Sequence, residues 1–360
     1  MRIMVLPRDA NPYQSLLYGE MKLLGARITY LGELTPSWTL NVVLLPFEVV
    51  ARRIAGARLI HIHWVFFFAP PLAARSSVGR LAMQSWFQLW LRICRLIGIR
   101  LVWTAHNLLP HEPVFADDIS ARRYLVTSSD LVIAHARSAL DQLAELGAAA
   151  SRVAVIEHGP MGEVPATRAL RIPGTGDGPR QFLFIGGVKE YKGVDDLVAA
   201  FLALPPDVAA CLTVAGHCPD HSLRSRLTAS ANRPGTRITM RLQYIPEAEL
   251  TRLLAAADVV VLPYRRVTTS GSAMLALTHA RPLIVPNLAA TADLPNDAVI
   301  RYEGGLPGLL SAISSAAREE SAHLAAMSMA ASKFAASISW SDIAKRTMWE
   351  MADVLDRGSG

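Results

Sequence analysis

The chain has 360 residues, of which 51% are hydrophobic, and a formal net charge of +6. That length predicts two domains, each able to bury its own core, and the composition excludes disorder and collagen-like repeats. The modest positive charge forms no basic stripe interleaved with base-stacking aromatics, so nucleic acid is not expected as a partner.

In chain order, Ile3–Leu6 reads as a short strand followed at once by Pro-Arg-Asp. A secretory leader needs a basic start, a longer apolar run and a cleavage site, so a cytoplasmic protein is expected. The loop Asp9-Ala10-Asn11-Pro12-Tyr13, with Leu16, Leu17 and Tyr18 after it, leads into a helix. Two amphipathic stretches follow, Trp38 to Arg53 and Leu81 to Arg100. Arg92, Arg95 and Arg100 argue against a transmembrane span in the second. Its Trp86, Phe87 and Trp90 beside Arg92 and Arg95 fit either a helix lying on an anionic bilayer or an ordinary core-facing helix. Cys94, Cys211 and Cys218 are odd in number and have no paired spacing, which implies a reducing compartment and no disulfide framework.

Strands alternate with helical stretches throughout, the pattern of parallel sheets wrapped by helices. The first set is Ile3–Leu6, Leu59–His63, Arg100–Thr104, Leu131–Ala134 and Val153–Ile156. Gly159 to Arg180 is rich in Gly and Pro and has no apolar period. The pattern restarts with Gln181–Ile185, Cys211–Ala215, Ile238–Leu242, Val259–Leu262 and Leu283–Val285. Two doubly wound α/β domains are therefore expected, at 1–165 and 166–335. The remainder, 336–360, reads as a helix expected to pack back towards the first domain.

In doubly wound sheets ligands sit beyond the carboxyl ends of the strands, and the polar motifs of this chain fall there. Val259–Leu262 runs into Pro-Tyr264, then Thr269-Ser270-Gly271-Ser272 at the start of an Ala/Leu-rich helix. Small residues at a helix start leave amides open where the macrodipole is positive, which suits a phosphate or diphosphate, although other crossovers also carry small residues there. Gln181–Ile185 runs into Gly186-Gly187-Val188-Lys189-Glu190-Tyr191-Lys192-Gly193, with two glycines for close approach and two lysines able to face one anion. His217 lies on another edge loop, and Gln243-Tyr244-Ile245-Pro246 with Glu247 and Glu249 forms a turn in which Tyr244 either stacks on a base or simply packs.

The first half has its own edge groups. His61 and His63 share one strand face, and without a further ligand pattern a structural role is favoured over metal binding. Trp103-Thr104-Ala105-His106-Asn107-Leu108-Leu109-Pro110-His111-Glu112 brings imidazole and carboxylate to one loop, which suits general-base chemistry or, for Glu112, a loop-stabilising role.

Asn11-Pro12-Tyr13 with Tyr18, His61-Ile-His63-Trp64, His106-Asn-Leu-Leu-Pro-His-Glu112, Val188-Lys-Glu-Tyr-Lys-Gly193, and Leu262-Pro-Tyr264 followed by Ser270-Gly271 occur in the order found in one family. Over nearly its whole length the chain resembles GT-B fold glycosyltransferases, most closely the bacterial GDP-mannose-dependent β-mannosyltransferases of xanthan-type exopolysaccharide assembly. The resemblance implies two Rossmann-like domains facing a cleft, the first for the acceptor and the second for the nucleotide sugar. It implies an inverting, metal-independent transfer of mannose from GDP-mannose to a polyprenyl-diphosphate-linked oligosaccharide or other glycolipid at the inner face of the membrane. UDP-glucuronate or UDP-glucose as donor, or a non-catalytic role in a transferase complex, stays open.

Carried over, Gly186, Gly187, Lys189, Lys192, His217, Tyr244, Ile245, Glu249, Tyr264, Thr269, Ser270, Gly271 and Ser272 would hold the donor. Asn11, Tyr13, Tyr18, His63 and Trp64 would meet the acceptor, and Trp86, Trp90, Arg92 and Arg95 the anionic membrane. Glu112 would be the base with His106 and His111 beside it, and Asp117 and Asp118 as more distant alternatives. Two departures stand out. Lys189 replaces the family's Arg and loses a bidentate fork, and no carboxylate lies between Tyr264 and Ser272 where many retaining GT-B enzymes carry one.

Overall fold

The structure is a computed structural model that describes residues 1–9, 11–110, 113–162 and 178–357. The chain divides into two compact units, Met1–His158 with Ser339–Gly360, and Gly159–Ile338.

The first unit holds β1 (Arg2–Leu6), β2 (Arg27–Tyr30), β3 (Leu59–Ile62), β4 (Arg100–Thr104), β5 (Leu131–Ala134) and β6 (Val153–Val155). They form one parallel sheet in the order β2-β1-β3-β4-β5-β6. Its helices are α1 (Pro12–Leu23), α2 (Trp38–Ile54), α3 (Pro71–Ala74), α4 (Ser77–Leu96), α5 (Asp118–Ser128) and α6 (Leu140–Glu145). The second unit holds β7 (Arg180–Ile185), β8 (Ala210–Ala215), β9 (Ile238–Arg241), β10 (Val259–Val261), β11 (Leu283–Pro286) and β12 (Val299–Tyr302), parallel in the order β12-β11-β10-β7-β8-β9. Its helices are α7 (Val194–Leu202), α8 (His221–Ala231), α9 (Glu247–Ala256), α10 (Gly271–Thr278), α11 (Gly305–Arg318) and α12 (Ser321–Ala336). The last helix, α13 (Trp340–Asp356), packs on α1 of the first unit, with Trp340 edge-on to Tyr13 at 5.2 Å.

Sheets covered by helices on both faces need strands that are apolar throughout, and β3, β5, β10 and β11 are buried along their whole length. The two strands absent from the sequence reading, β2 and β12, are edge strands. Only one side of an edge strand is paired and much of it stays exposed. Arg27-Ile-Thr-Tyr and Val-Ile-Arg-Tyr therefore carry polar residues and lack a continuous apolar run.

Helix α4 corrects the expected membrane contact. Phe87 and Trp90 are fully buried in the core of the first unit, against Phe68 and Phe115, and Trp86 is half-buried with its indole N–H donating to the Val42 carbonyl at 3.0 Å. Arg92 donates to the Tyr124 hydroxyl at 2.8 Å, and Arg95 is exposed. The aromatic stripe covers the sheet because burying a side chain such as Phe87 contributes about 2–3 kcal/mol. Helix α2 is the one that turns an apolar row outward: Leu40, Val43, Phe47, Val50 and Ile54 are all exposed at alternating spacings of three and four residues. Among the described residues no helix is long and apolar enough to cross a membrane.

In both sheets the strand order reverses once, between β1 and β3 and between β7 and β10. Chain leaving these neighbouring strands diverges to opposite faces and opens a crevice, the place where doubly wound sheets bind ligands.

Candidate active site

In the second unit the switch point is flanked by the loop after β7 and the loop after β10. Gly193, with φ +69°, begins α7, and a Cβ there would run into the Pro263 carbonyl, so only glycine lets the two loops approach this closely. Gly216, with φ +150°, lies against the Gly186 carbonyl in the same manner. The Val188 N–H donates to the His217 carbonyl at 2.9 Å, tying the loop after β7 to the loop after β8.

Arg265 clamps the arrangement. Its guanidinium donates to Asp196 at 2.9 Å, to Asp195 at 2.8 Å and to the Glu190 carbonyl at 3.0 Å, and these bonds hold its pKa above the ordinary arginine value. With Arg265 satisfied by carboxylates, the Lys192 ammonium lies over the Tyr264 ring, 4.3 Å from its centroid. The Tyr264 hydroxyl bonds Ser270 Oγ at 2.6 Å, and that Oγ accepts the Ala273 N–H at 3.0 Å as the N-cap of α10. As at any helix start, the amides of Gly271 and Ser272 have no intrahelical acceptor.

Lys192, Tyr264, Ser270, Gly271, Ser272, Gly186 and Gly187 thus gather around one switch point, with Lys189 and Thr269 on the same two loops. Tyr244 stands 77% exposed beyond β9, with Ile245 half-exposed after it. Glu249 is ion-paired with Arg241 and so is engaged within the chain, whereas His217 is exposed.

In the first unit, strand ends deliver a row of rings. His63 directly follows β3, His106 lies two residues past β4, His135 directly follows β5 and His158 lies three residues past β6. Tyr13, from the loop after β1, sets its edge against His63, His106, His135 and Trp340 and lies tilted on His158, with ring centroids between 4.6 and 5.8 Å. Trp64 stacks on His106 at 4.5 Å. Burial pushes His61 and His135 down to about 3 and holds His63 and His106 well below the usual imidazole range, so these four rings are neutral at physiological pH.

Tyr18 and His63, expected to meet an acceptor, are buried, and the Tyr18 hydroxyl lies 2.8 Å from His61 Nδ1 and 2.6 Å from His63 Nε2. Both nitrogens of His61 and of His63 make such bonds, the structural role expected for the pair. Asn11 caps α1 through its side-chain oxygen. Asp117 caps α5, and Asp118 accepts the Val114 and Phe115 N–H groups. His111 and Glu112 lie outside the described residues. Sequence reasoning missed His135, His158 and the Arg265 clamp. The first two had a signal, since each closely follows a predicted strand, while the clamp joins residues about 70 positions apart with no local mark.

Two parallel six-stranded sheets, each with a switch point and polar loops at its carboxyl edge, define a protein of the GT-B glycosyltransferase fold. The structure is similar to Anabaena HepE in complex with UDP, with a TM-score of 0.73 at 14% identity over 98% of this chain and 100% of that one. It is similar also to sucrose-phosphate synthase from Thermosynechococcus elongatus, with a TM-score of 0.75 at 15% identity over 99% of each chain. Residues 179–319 match the glycosyl transferases group 1 family. The GDP-mannose:glycolipid 4-beta-D-mannosyltransferase of Xanthomonas campestris pv. campestris is 30% identical over 271 residues, 72% of each chain. The chain belongs to the group 1 glycosyl transferases.

Proposed function

We propose that this glycosyltransferase moves mannose from GDP-mannose to a glycolipid acceptor, such as a polyprenyl-diphosphate-linked oligosaccharide, with inversion at the anomeric carbon. The observation that carries the donor half is the Lys192 ammonium held over Tyr264, whose hydroxyl reaches the first turn of α10 at the switch point. Cation and helix start together suit a diphosphate leaving group. In this reading Lys189, Lys192 and the Gly271 and Ser272 amides supply the charge stabilisation, with no metal called upon. The choice of GDP-mannose and of a glycolipid rests on the likeness to the Xanthomonas enzyme.

In a single displacement the acceptor hydroxyl attacks the anomeric carbon while the bond to the diphosphate oxygen breaks. The hydroxyl proton goes to a base, for which Glu112 is our choice, and GDP leaves with the bonding pair. A lipid-borne acceptor calls for docking on the cytoplasmic membrane face. The exposed row on α2, with Arg52 and Arg53 at its end and Arg95 on the neighbouring α4, has the amphipathic chemistry of an anionic bilayer contact.

The test is a transfer assay with GDP-mannose, UDP-glucose and UDP-glucuronate against lipid-linked glycan extracts, the product anomer being read by NMR. A β-linked mannosyl product is expected. Turnover of a UDP-sugar alone would overturn the donor, an α-linked product the inversion, and nucleotide binding without any turnover would mark a non-catalytic subunit.

A further inference from the structure

Strand β9 is an edge of the second sheet and pairs only with β8. The Arg237 and Arg241 carbonyls accept the Leu212 and Gly216 N–H groups at 2.9 and 3.0 Å, so these residues turn their backbone towards β8. Backbone direction alternates along a strand, and the N–H and C=O groups of Ile238 and Met240 therefore face the open edge. No other strand pairs with them among the described residues. Side chains alternate as well, and Ile238, Met240 and Leu242 share one face. With Arg224, Thr228 and Ala231 of α8 they line a groove of about 300 Å³.

Charge in this region has one sign. From His221 to Pro246 the sequence has five arginines and no carboxylate side chain. Arg224 donates to the Cys218 carbonyl at 2.7 Å, Arg226 pairs with Glu190 and Arg241 with Glu249. Arg233 and Arg237 are exposed, and among the described residues their side chains make no ion pair or hydrogen bond. Charge on an edge strand also guards against self-pairing. Strands β2, β9 and β12 each carry an arginine and β6 follows Arg152, so a second copy of the chain would bring like charges together. Guarding an edge calls for charge alone, however, and not for an apolar groove alongside it.

We propose that β9 is a docking edge for an extended acidic segment of another protein, which adds a strand beside Ile238 and Met240. One face of that segment sends apolar side chains into the groove, and the other sets carboxylates beside Arg237. Its sequence therefore alternates apolar and acidic residues. Arg233 adds to the field that draws the segment in. The donor loops after β7 and β10 play no part in this docking.

The experiment uses the full chain and a fluorescent hexapeptide of alternating valine and glutamate, with binding followed by anisotropy. Two control peptides alternate valine with lysine, or hold the valines and glutamates in separate blocks. The alternating acidic peptide should bind saturably and at least about tenfold tighter than either control, a difference of 1.4 kcal/mol. Deuterium uptake over 237–242 should slow on binding, because the Ile238 and Met240 amides gain acceptors. Met240→Arg fills the groove while adding positive charge. It should weaken strand addition about tenfold, whereas mere electrostatic adsorption would tighten. Should Met240→Arg fail to fold, Thr228→Arg on the exposed rim of the groove makes the same test. Equal binding of the block peptide, unchanged uptake over 237–242, or tighter binding by the arginine variants would overturn the proposal. So would wild-type self-association lost in Met240→Arg, which marks an interface between copies. Retention on anionic phospholipid vesicles through Arg237 without any peptide binding would overturn it in favour of a membrane face.

Discussion

At the carboxyl edge of the first sheet the described candidates are mostly aromatic and imidazole rings, and most of them are buried. At the same edge of the second sheet they are glycines, lysines and first-turn amides, many of them half-exposed. Both edges come from the same topology, a parallel sheet whose order reverses once, so the difference lies in what each edge is made to hold. A diphosphate needs positive charge and close backbone approach, which glycine and lysine provide without a rigid pocket. Rings held at fixed hydrogen-bond distances, as among Thr104, His61, Tyr18, His63 and His106, need side chains locked by packing. The first edge therefore spends burial on orientation, and the second spends conformational freedom on access.

The sharpest way to break this comparison is to separate turnover from donor affinity. Glu112→Gln, on the first-unit loop, is expected to cut kcat by roughly 10²-fold or more, the scale of general-base catalysis, with nucleotide affinity nearly unchanged. Steady-state kinetics and calorimetric GDP titration check it. Near wild-type transfer by this variant, with Asp117→Asn or Asp118→Asn inactive, would move the base.

Acid should distinguish the units next. His61 is pushed down to about 3 in the folded chain against 6.5 when unfolded, and His135 likewise. Above 6.5 neither state binds the proton. Below 6.5 the unfolded chain takes it up first, so stability is lost as pH falls, by about 2 kcal/mol for His61 alone at pH 5. All seven tryptophans lie in the first unit, so their fluorescence reports that unit alone. Its denaturant midpoint should drop steeply between pH 6.5 and 4, and a flat profile there would show that the imidazoles are not held neutral.

A smaller effect of the opposite kind is expected from Lys192→Ala. It should weaken GDP binding about tenfold, or 1.4 kcal/mol, while leaving the first-unit acid profile alone. Unchanged nucleotide affinity in a folded Lys189→Ala/Lys192→Ala double variant would dismiss the second edge as the diphosphate site.

The smallest change should come from the surface of α2. Phe47→Asp is expected to reduce co-sedimentation with anionic vesicles several-fold, binding that in the wild type weakens as salt screens the arginines. Equal recovery of wild type and variant with the lipid would return the α2 row to ordinary exposed apolar surface.

By itself the sequence determined the architecture. Central strands of a parallel sheet are buried on both faces, so Ile3–Leu6, Leu131–Ala134 and Val259–Val261 announce themselves as apolar runs, and the Gly-Lys and Ser-Gly loops announce themselves by following such runs. Edge strands β2 and β12 escaped because half-exposed backbone needs no such run. Only the tertiary structure decided which face of α4 lies in the core. Trp90 on an amphipathic helix reads the same against a bilayer as against a sheet, until Phe68 and Phe87 are seen packed around it. Only the tertiary structure, too, joined Tyr18, His61, His63, Thr104 and His106 by hydrogen bonds, because a hydrogen bond is fixed by a few tenths of an ångström, and residues more than 40 positions apart carry no record of that distance in their order.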